Sequence, residues 1–276
     1  MLDYMLLVIG LVGFGLAGYW DLRYTEFPDW LPYSMIIITI GLRAIFSFIY
    51  SDLSYIISSL IFGSLFLFVG LFFYYVKQWG DGDAWLLGAL GFLMPQQFEF
   101  GVKTFFPFPA VLILNFLFVS IIYLVFYSFA IGIKNKRINH LYFQYIKKEK
   151  TRLLLWVAFF FCFSWSFAFI TYFYMGSENI LPMLFLPFFL TFLLLFSYYA
   201  KIVENKLFKR RIKVSQLKEG DVLLNGKWKG VDKKEIAQIK KKHKYVWIKE
   251  GVRFAPVFFL TMITSIFLGD FMFIFI

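Results

Sequence analysis

An all-α polytopic membrane protein, with about six to eight transmembrane helices and a small α+β cytoplasmic segment before the last one, is the fold class that three features predict. Hydrophobic residues make up 61% of the 276 positions and charged residues only 16%, whereas soluble domains run nearer half and a quarter. The apolar residues, 40 Phe among them, gather into runs long enough to cross a bilayer. The excess of 28 Lys and Arg over 17 Asp and Glu falls mostly in two loops. That placement is the one expected of segments held on the cytoplasmic side, so nucleic-acid binding is set aside and anionic lipid headgroups become the expected partners of the loops.

About 20 mostly apolar residues are needed to cross the hydrocarbon core. By that measure spans are expected near 4–20, 31–50, 54–76, 84–98, 104–133, 153–175, 180–201 and 254–276. The first is read as a retained span, because Met1-Leu2-Asp3-Tyr4 lacks the basic start of a secretory signal. The fourth is short and carries Gly88 and Gly91 before Pro95. The domain plan is a helical core over 1–205, a soluble segment over 206–250 and a C-terminal span over 251–276. Within the soluble segment Leu217–Leu224 and Tyr245–Ile248 read as strands, and Lys233–Lys242, with Ile236 and Ile239 among charges, as a short helix.

Orientation follows from the loops. Ile133–Arg152 carries Lys134, Lys136, Arg137, Lys147, Lys148, Lys150 and Arg152, and Lys201–Arg253 is rich in Lys. The connection Met175–Asn179 between the two spans that separate them has no basic residue. Both basic loops are therefore placed inside. Counting back through the spans puts loops 21–30 and 77–83 on that same cytoplasmic face.

Those two loops hold the chemistry. In Trp79-Gly80-Asp81-Gly82-Asp83-Ala84-Trp85 two carboxylates and two glycines interrupt apolar sequence, and Asp21 closes the first span. Ionisable groups at the edge of a span are costly to desolvate and mark functional sites. Two carboxylates held close share a proton, so one can activate water while the other polarises a carbonyl. Such a pair titrates as a unit, and the sequence does not say which Asp is acid and which base. Gly80 and Gly82 allow tight backbone and close approach, although Gly-Asp-Gly is also an ordinary turn. Asp81 reads as a supporting or solvated group, and Glu26 and Asp29 as surface charges. Asp21 could instead be an interfacial charge paired with Arg23. Asp270 falls near the outer end and is left out of the site.

Cys162, the single cysteine, reads as a buried inert thiol, and His140 and His243 as solvated loop residues. No His, Cys and carboxylate cluster suggests a metal, and no cofactor is implied.

Gly80-Asp81-Gly82-Asp83 resembles the naming motif of the GxGD membrane aspartyl proteases, specifically the type IV prepilin peptidase group, with Asp83 in the catalytic position. Asp21-Leu22-Arg23, followed by Glu26-Phe27-Pro28-Asp29-Trp30-Leu31, resembles the first catalytic motif of that group. The distant relatives presenilin and signal peptide peptidase carry a Tyr-Asp pair, whereas Trp20 precedes Asp21 here. Val214–Leu224 and Lys249–Phe258 are similar to the carboxy-terminal region of archaeal preflagellin and prepilin peptidases. The chain resembles the shorter archaeal forms in having no Cys-rich or methyltransferase portion ahead of its first span. The resemblance covers the site and the chain ends and says little about 104–201. It implies catalytic Asp21 and Asp83, supported by Gly80, Asp81 and Gly82. The implied activity removes a short basic leader from membrane-anchored pilin-like or archaellin precursors at the cytoplasmic face of the cell membrane. An ion-coupled transporter would need polar residues near the midplane, whereas these Asp lie at the edge, and internal repeats, which are not found. A non-catalytic scaffold would be indifferent to the two Asp, and cleavage within the bilayer is a lesser variant of the protease reading.

Overall fold

The computed structural model describes every residue except 77, 134, 176–180, 218–220, 225–230, 250 and 272–276. Among the described residues, six helices are long and apolar enough to cross a membrane. Lipid offers no hydrogen-bond partners, so a spanning backbone must satisfy itself, and helices do so within one segment.

By packing, the chain forms two compact units: Met1–Tyr123 with Gly251–Ile276, and Leu124–Glu250. The first contains α1 (Leu2–Tyr24), α2 (Trp30–Ile49), α3 (Ser54–Tyr75), α4 (Asp81–Leu93), the start of α5 (Phe108–Ile133) and α10 (Pro256–Phe267). Its core gathers Leu6, Phe14, Phe66, Leu86, Leu90, Leu112, Phe258 and Met262.

The expected fourth and eighth spans, 84–98 and 254–276, turn out as short helices. At 13 residues α4 is about 20 Å long, well under the roughly 30 Å of a hydrocarbon core. Ala84 and every residue from Leu86 to Leu93 are buried, as expected of a helix that is apolar all round and enclosed by neighbours. Its C-terminal carbonyls therefore end inside protein. Two side chains receive them: Arg43 of α2 donates to Leu93 O at 3.0 Å, and Ser59 of α3 donates to Phe92 O at 2.7 Å. A second guanidinium nitrogen of Arg43 reaches Tyr55 O at 3.2 Å. In α10, 12 residues are helical, and the tail of that expected span lies outside the described residues.

The second unit contains the rest of α5, then α6 (Lys136–Lys148), α7 (Lys150–Met175) and α8 (Leu181–Val203). A π-helical turn at Glu204–Phe208 leads into β1 (Lys209–Lys213), β2 (Val222–Leu223), α9 (Lys233–Lys242) and β3 (Tyr245–Lys249). The basic loop 133–152 is thus not irregular, because it folds as α6. Asn135 caps that helix by accepting from Arg137 N–H, and Tyr142 donates to Leu195 O of α8 at 3.3 Å. The expected strand Leu217–Leu224 shrinks to β2, since Leu217 ends a 3-10 turn and 218–220 lie outside the described residues. The sheet is antiparallel in the order β1-β3-β2, with Arg210 opposite Ile248 and Leu223 opposite Ile248 on the other edge. Val214, Leu217, Val231, Ile236 and Ile248 form its small core. A capping box starts α9, with Asp232 and Glu235 each bonding to the other's backbone N–H.

Cys162 is exposed on α7, which corrects the expectation of a buried thiol. On a membrane span the apolar environment can be lipid, so membership of an apolar run does not imply enclosure by protein. His140 and His243 are exposed as expected. Positions 176–179 of the expected outer connection lie outside the described residues.

Candidate active site

Asp21 sits in the last turn of α1 and is 6% exposed. The helix stops four residues later at Thr25, whose left-handed conformation (φ 65°) returns its N–H to Asp21 O at 2.9 Å. The Asp21 carboxyl is held from the far end of the sequence. Ala255 N–H donates to its Oδ2 at 2.9 Å, and Phe254 N–H also donates to it. This approach needs a residue without a side chain one turn earlier. A Cβ on Gly18 would lie 3.3 Å from Pro256 Cα. Arg253, in the same segment, donates to Leu22 O and places its charge near Asp21. Tyr123 donates to Arg253 O at 2.5 Å and fixes that segment from α5.

Asp83 occupies the first turn of α4. Gly80 is the N-cap, in extended backbone, and its N–H donates back to the Asp83 carboxyl. This is the contact an acidic side chain makes at the third position of a helix, where the N-terminal dipole also favours negative charge. The N-terminus of α4 comes close to α3 because Gly70 leaves room: a Cβ there would lie 2.7 Å from Ala84 O. Burial pushes the Asp83 carboxyl up to about 7, and the nearby charge of Asp21 pushes the same way, against the Gly80 N–H. Asp83 as a whole residue is half-buried.

The two sequence motifs also touch through other residues. Phe27, from the 26–31 stretch, lies over Gly82, where a Cβ would come within 2.6 Å of its Cζ. Trp79 stacks on Phe73 at 4.9 Å and meets Phe116 at 5.6 Å and Phe254 at 5.8 Å. Asp81 is exposed, as are Glu26 and Asp29. Asp270 accepts from Phe105 N–H at 2.5 Å, on a different connection from the 21–30 and 77–83 loops. Among the described residues, no three His, Cys, Asp or Glu side chains lie together.

Sequence reasoning offered Arg23 as a partner for Asp21. The structure turns Arg23 to the rings of Tyr19 and Tyr24 instead, at 5.9 and 5.2 Å from their centroids. The cation beside Asp21 is Arg253, and its contribution, with that of the Phe254 and Ala255 N–H groups, was missed. The only sequence signal for it was the similarity of Lys249–Phe258 to a family's carboxy-terminal region. Nothing in that stretch announces a contact with a residue more than 230 positions away.

Two comparisons with known proteins bear on the site. Residues 8–133, from α1 to the end of α5 and including both Asp21 and Asp83, match the type IV leader peptidase family. A preflagellin peptidase of Methanocaldococcus jannaschii is 30% identical over 124 residues, covering 41% of this chain and 52% of that protein. The chain therefore spans about half the length of the curated relative it matches. No solved structure matches it.

Proposed function

From the match of residues 8–133 to the type IV leader peptidase family, we propose that this protein is a membrane-embedded aspartic endopeptidase using Asp21 and Asp83. Its substrates in this reading are pilin-like or archaellin precursors, cut at the cytoplasmic face to release a short basic leader. The observation that supports the reading best is that α1 and α4 carry Asp21 and Asp83 close enough for one charge to act on the other. A pair in that condition holds one proton between its members near neutral pH. The ionised carboxylate takes a proton from water as its oxygen adds to the scissile carbonyl carbon, while the protonated carboxyl gives its proton to the carbonyl oxygen. In the second step the proton gained from water goes to the amine nitrogen as the C–N bond breaks. The other carboxylate recovers its proton from a hydroxyl, the carbonyl reforms, and the pair returns to its starting state.

A precursor whose apolar helix stays in the bilayer would present its leader where the paired Asp lie at the helix ends. The positive loops 133–152 and 201–253 support the cytoplasmic orientation. The same loops support contact with anionic lipid headgroups. There α6 is basic at both ends and aromatic between, the character of a helix that lies in a membrane surface. Near the sheet, Lys213, Lys240, His243 and Lys244 line a cavity of about 530 Å³ with Ser215 and Tyr245.

The deciding experiment is cleavage of candidate archaellin and pilin precursors in membranes by the wild type, Asp21→Asn and Asp83→Asn. Loss of cleavage in both variants, with normal insertion, is the expected result. Retained cleavage in either would remove the paired-carboxylate mechanism.

A further inference from the structure

The two carboxyls of the site are supported unequally, and the inequality has a chemical consequence. Two backbone N–H groups donate to Asp21, from Phe254 and from Ala255, the latter at 2.9 Å. The Arg253 guanidinium stands beside it, anchored on the carbonyl of Leu22, the next residue after Asp21. Asp83 receives one N–H, from Gly80, and among the described residues no cation acts on it. Hydrogen bonds donated to a carboxylate and a neighbouring positive charge both favour its ionised form. Of the other charged groups around the pair, Arg23 is turned to Tyr19 and Tyr24, and Asp81 and Asp29 are exposed.

We infer that the Arg253-Phe254-Ala255 segment makes the pair asymmetric, holding Asp21 as the ionised base that activates water and leaving the resting proton on Asp83, with Arg253 as the positioning residue. The inference rests on the peptidase reading for its chemistry but not for its charge assignment. In the first step Asp21 takes the proton from water while Asp83 gives its own to the carbonyl oxygen. In the second step Asp21 gives that proton to the amine nitrogen as the C–N bond breaks, and Asp83 takes one back from the hydroxyl as the carbonyl reforms. The assignment also gives the segment before α10 a role in the reaction. It supplies no atom to the substrate, yet it decides which carboxyl starts as the base.

Two measurements on the full chain in lipid bilayers test this. The first is the infrared stretching band of a protonated carboxyl near neutral pH. Asp83→Asn is expected to abolish it and Asp21→Asn to leave it in place; the opposite pattern would overturn the assignment. Because this readout needs no substrate, it stands even if no precursor is cleaved, and so separates failure of the assignment from failure of the peptidase reading. The second is the pH profile of cleavage by Arg253→Gln. Without the guanidinium Asp21 binds its proton more readily, so the acidic limb should move to higher pH by about one unit. Arg253→Lys, which keeps the charge, should restore the wild-type limb and would show that the shift is not a general folding defect. Superimposable profiles for wild type and Arg253→Gln would sink the role given to Arg253.

Discussion

The guanidinium of Arg43 donates to Leu93 O at 3.0 Å and so closes the C-terminus of α4 from a neighbouring helix. A charge is costly at this depth, and the side chain is 3% exposed. What offsets the cost is the position of the acceptors. The last carbonyls of a helix have no partner of their own, and they carry the negative end of its dipole. A helix that ends inside protein leaves those carbonyls buried, and Arg43 with Ser59 supplies the missing donors.

Ser59→Ala should therefore destabilise the protein by about 1 kcal/mol, the net worth of one buried hydrogen bond. Arg43→Met should cost more, about 2–4 kcal/mol, because it leaves the buried Leu93 carbonyl short of a donor and also removes the bond to Tyr55 O. Thermal unfolding in detergent measures both. If Arg43→Met were as stable as wild type, the cap would contribute nothing and the position of α4 would need another explanation.

Two glycines should respond differently to the same added methyl group. At Gly82 the obstacle is the tip of the Phe27 ring, which can move. At Gly70 it is the backbone of Ala84, which cannot move without shifting the head of α4 and Asp83 with it. Gly82→Ala is expected to lower cleavage only in part and to recover when combined with Phe27→Ala. Gly70→Ala is expected to abolish cleavage, with no recovery from Phe27→Ala. Comparing the four variants at equal membrane levels checks both statements.

How far these relationships can be read from sequence depends on the distance between the partners. The helix α9 is legible to its ends, because Asp232 and Glu235 cap it and Ile236 and Ile239 give its apolar face over residues close together. The strand β1, Lys-Arg-Arg-Ile-Lys, is not legible, since four of its five residues are charged and its conformation comes from pairing with β3. The helix α6 was hidden by its charge, which marked orientation and masked the amphipathic period. Counting spans placed Asp21 and Asp83 on one membrane face, an expectation about sidedness and not about distance. The contacts of Asp21 with the 253–255 segment and of Arg43 with Leu93 were not accessible, because no periodicity links residues on separate helices.

The orientation makes a labelling prediction. In a Cys162→Ser background, Ser215→Cys should react with a membrane-impermeant maleimide only when the cytoplasmic face is open to reagent. Lys103→Cys, on the exposed connection between α4 and α5, should react from the other side. Both positions labelling from one side would reverse or break the span count that places the paired Asp at the cytoplasmic face.

Asp83 should also weaken the fold it serves. Its carboxyl ordinarily titrates at 3.8 and is pushed up to about 7 in the folded protein. Between those values the folded protein holds a proton that the unfolded chain has lost, so stability falls as pH rises through that window. The stabilisation is complete below the unfolded value, and the penalty is complete above about 7. The full shift would correspond to about 4 kcal/mol, and discounting for a residue that is only half-buried leaves on the order of 2 kcal/mol. Asp83→Asn removes the titrating group, so it should raise Tm relative to wild type above pH 7, and the gain should fade as the pH is lowered towards 4. The same substitution should abolish cleavage at every pH. Melting curves of wild type and Asp83→Asn across that range give the test: a difference that does not change with pH would mean that the carboxyl is not held in its protonated form by the fold.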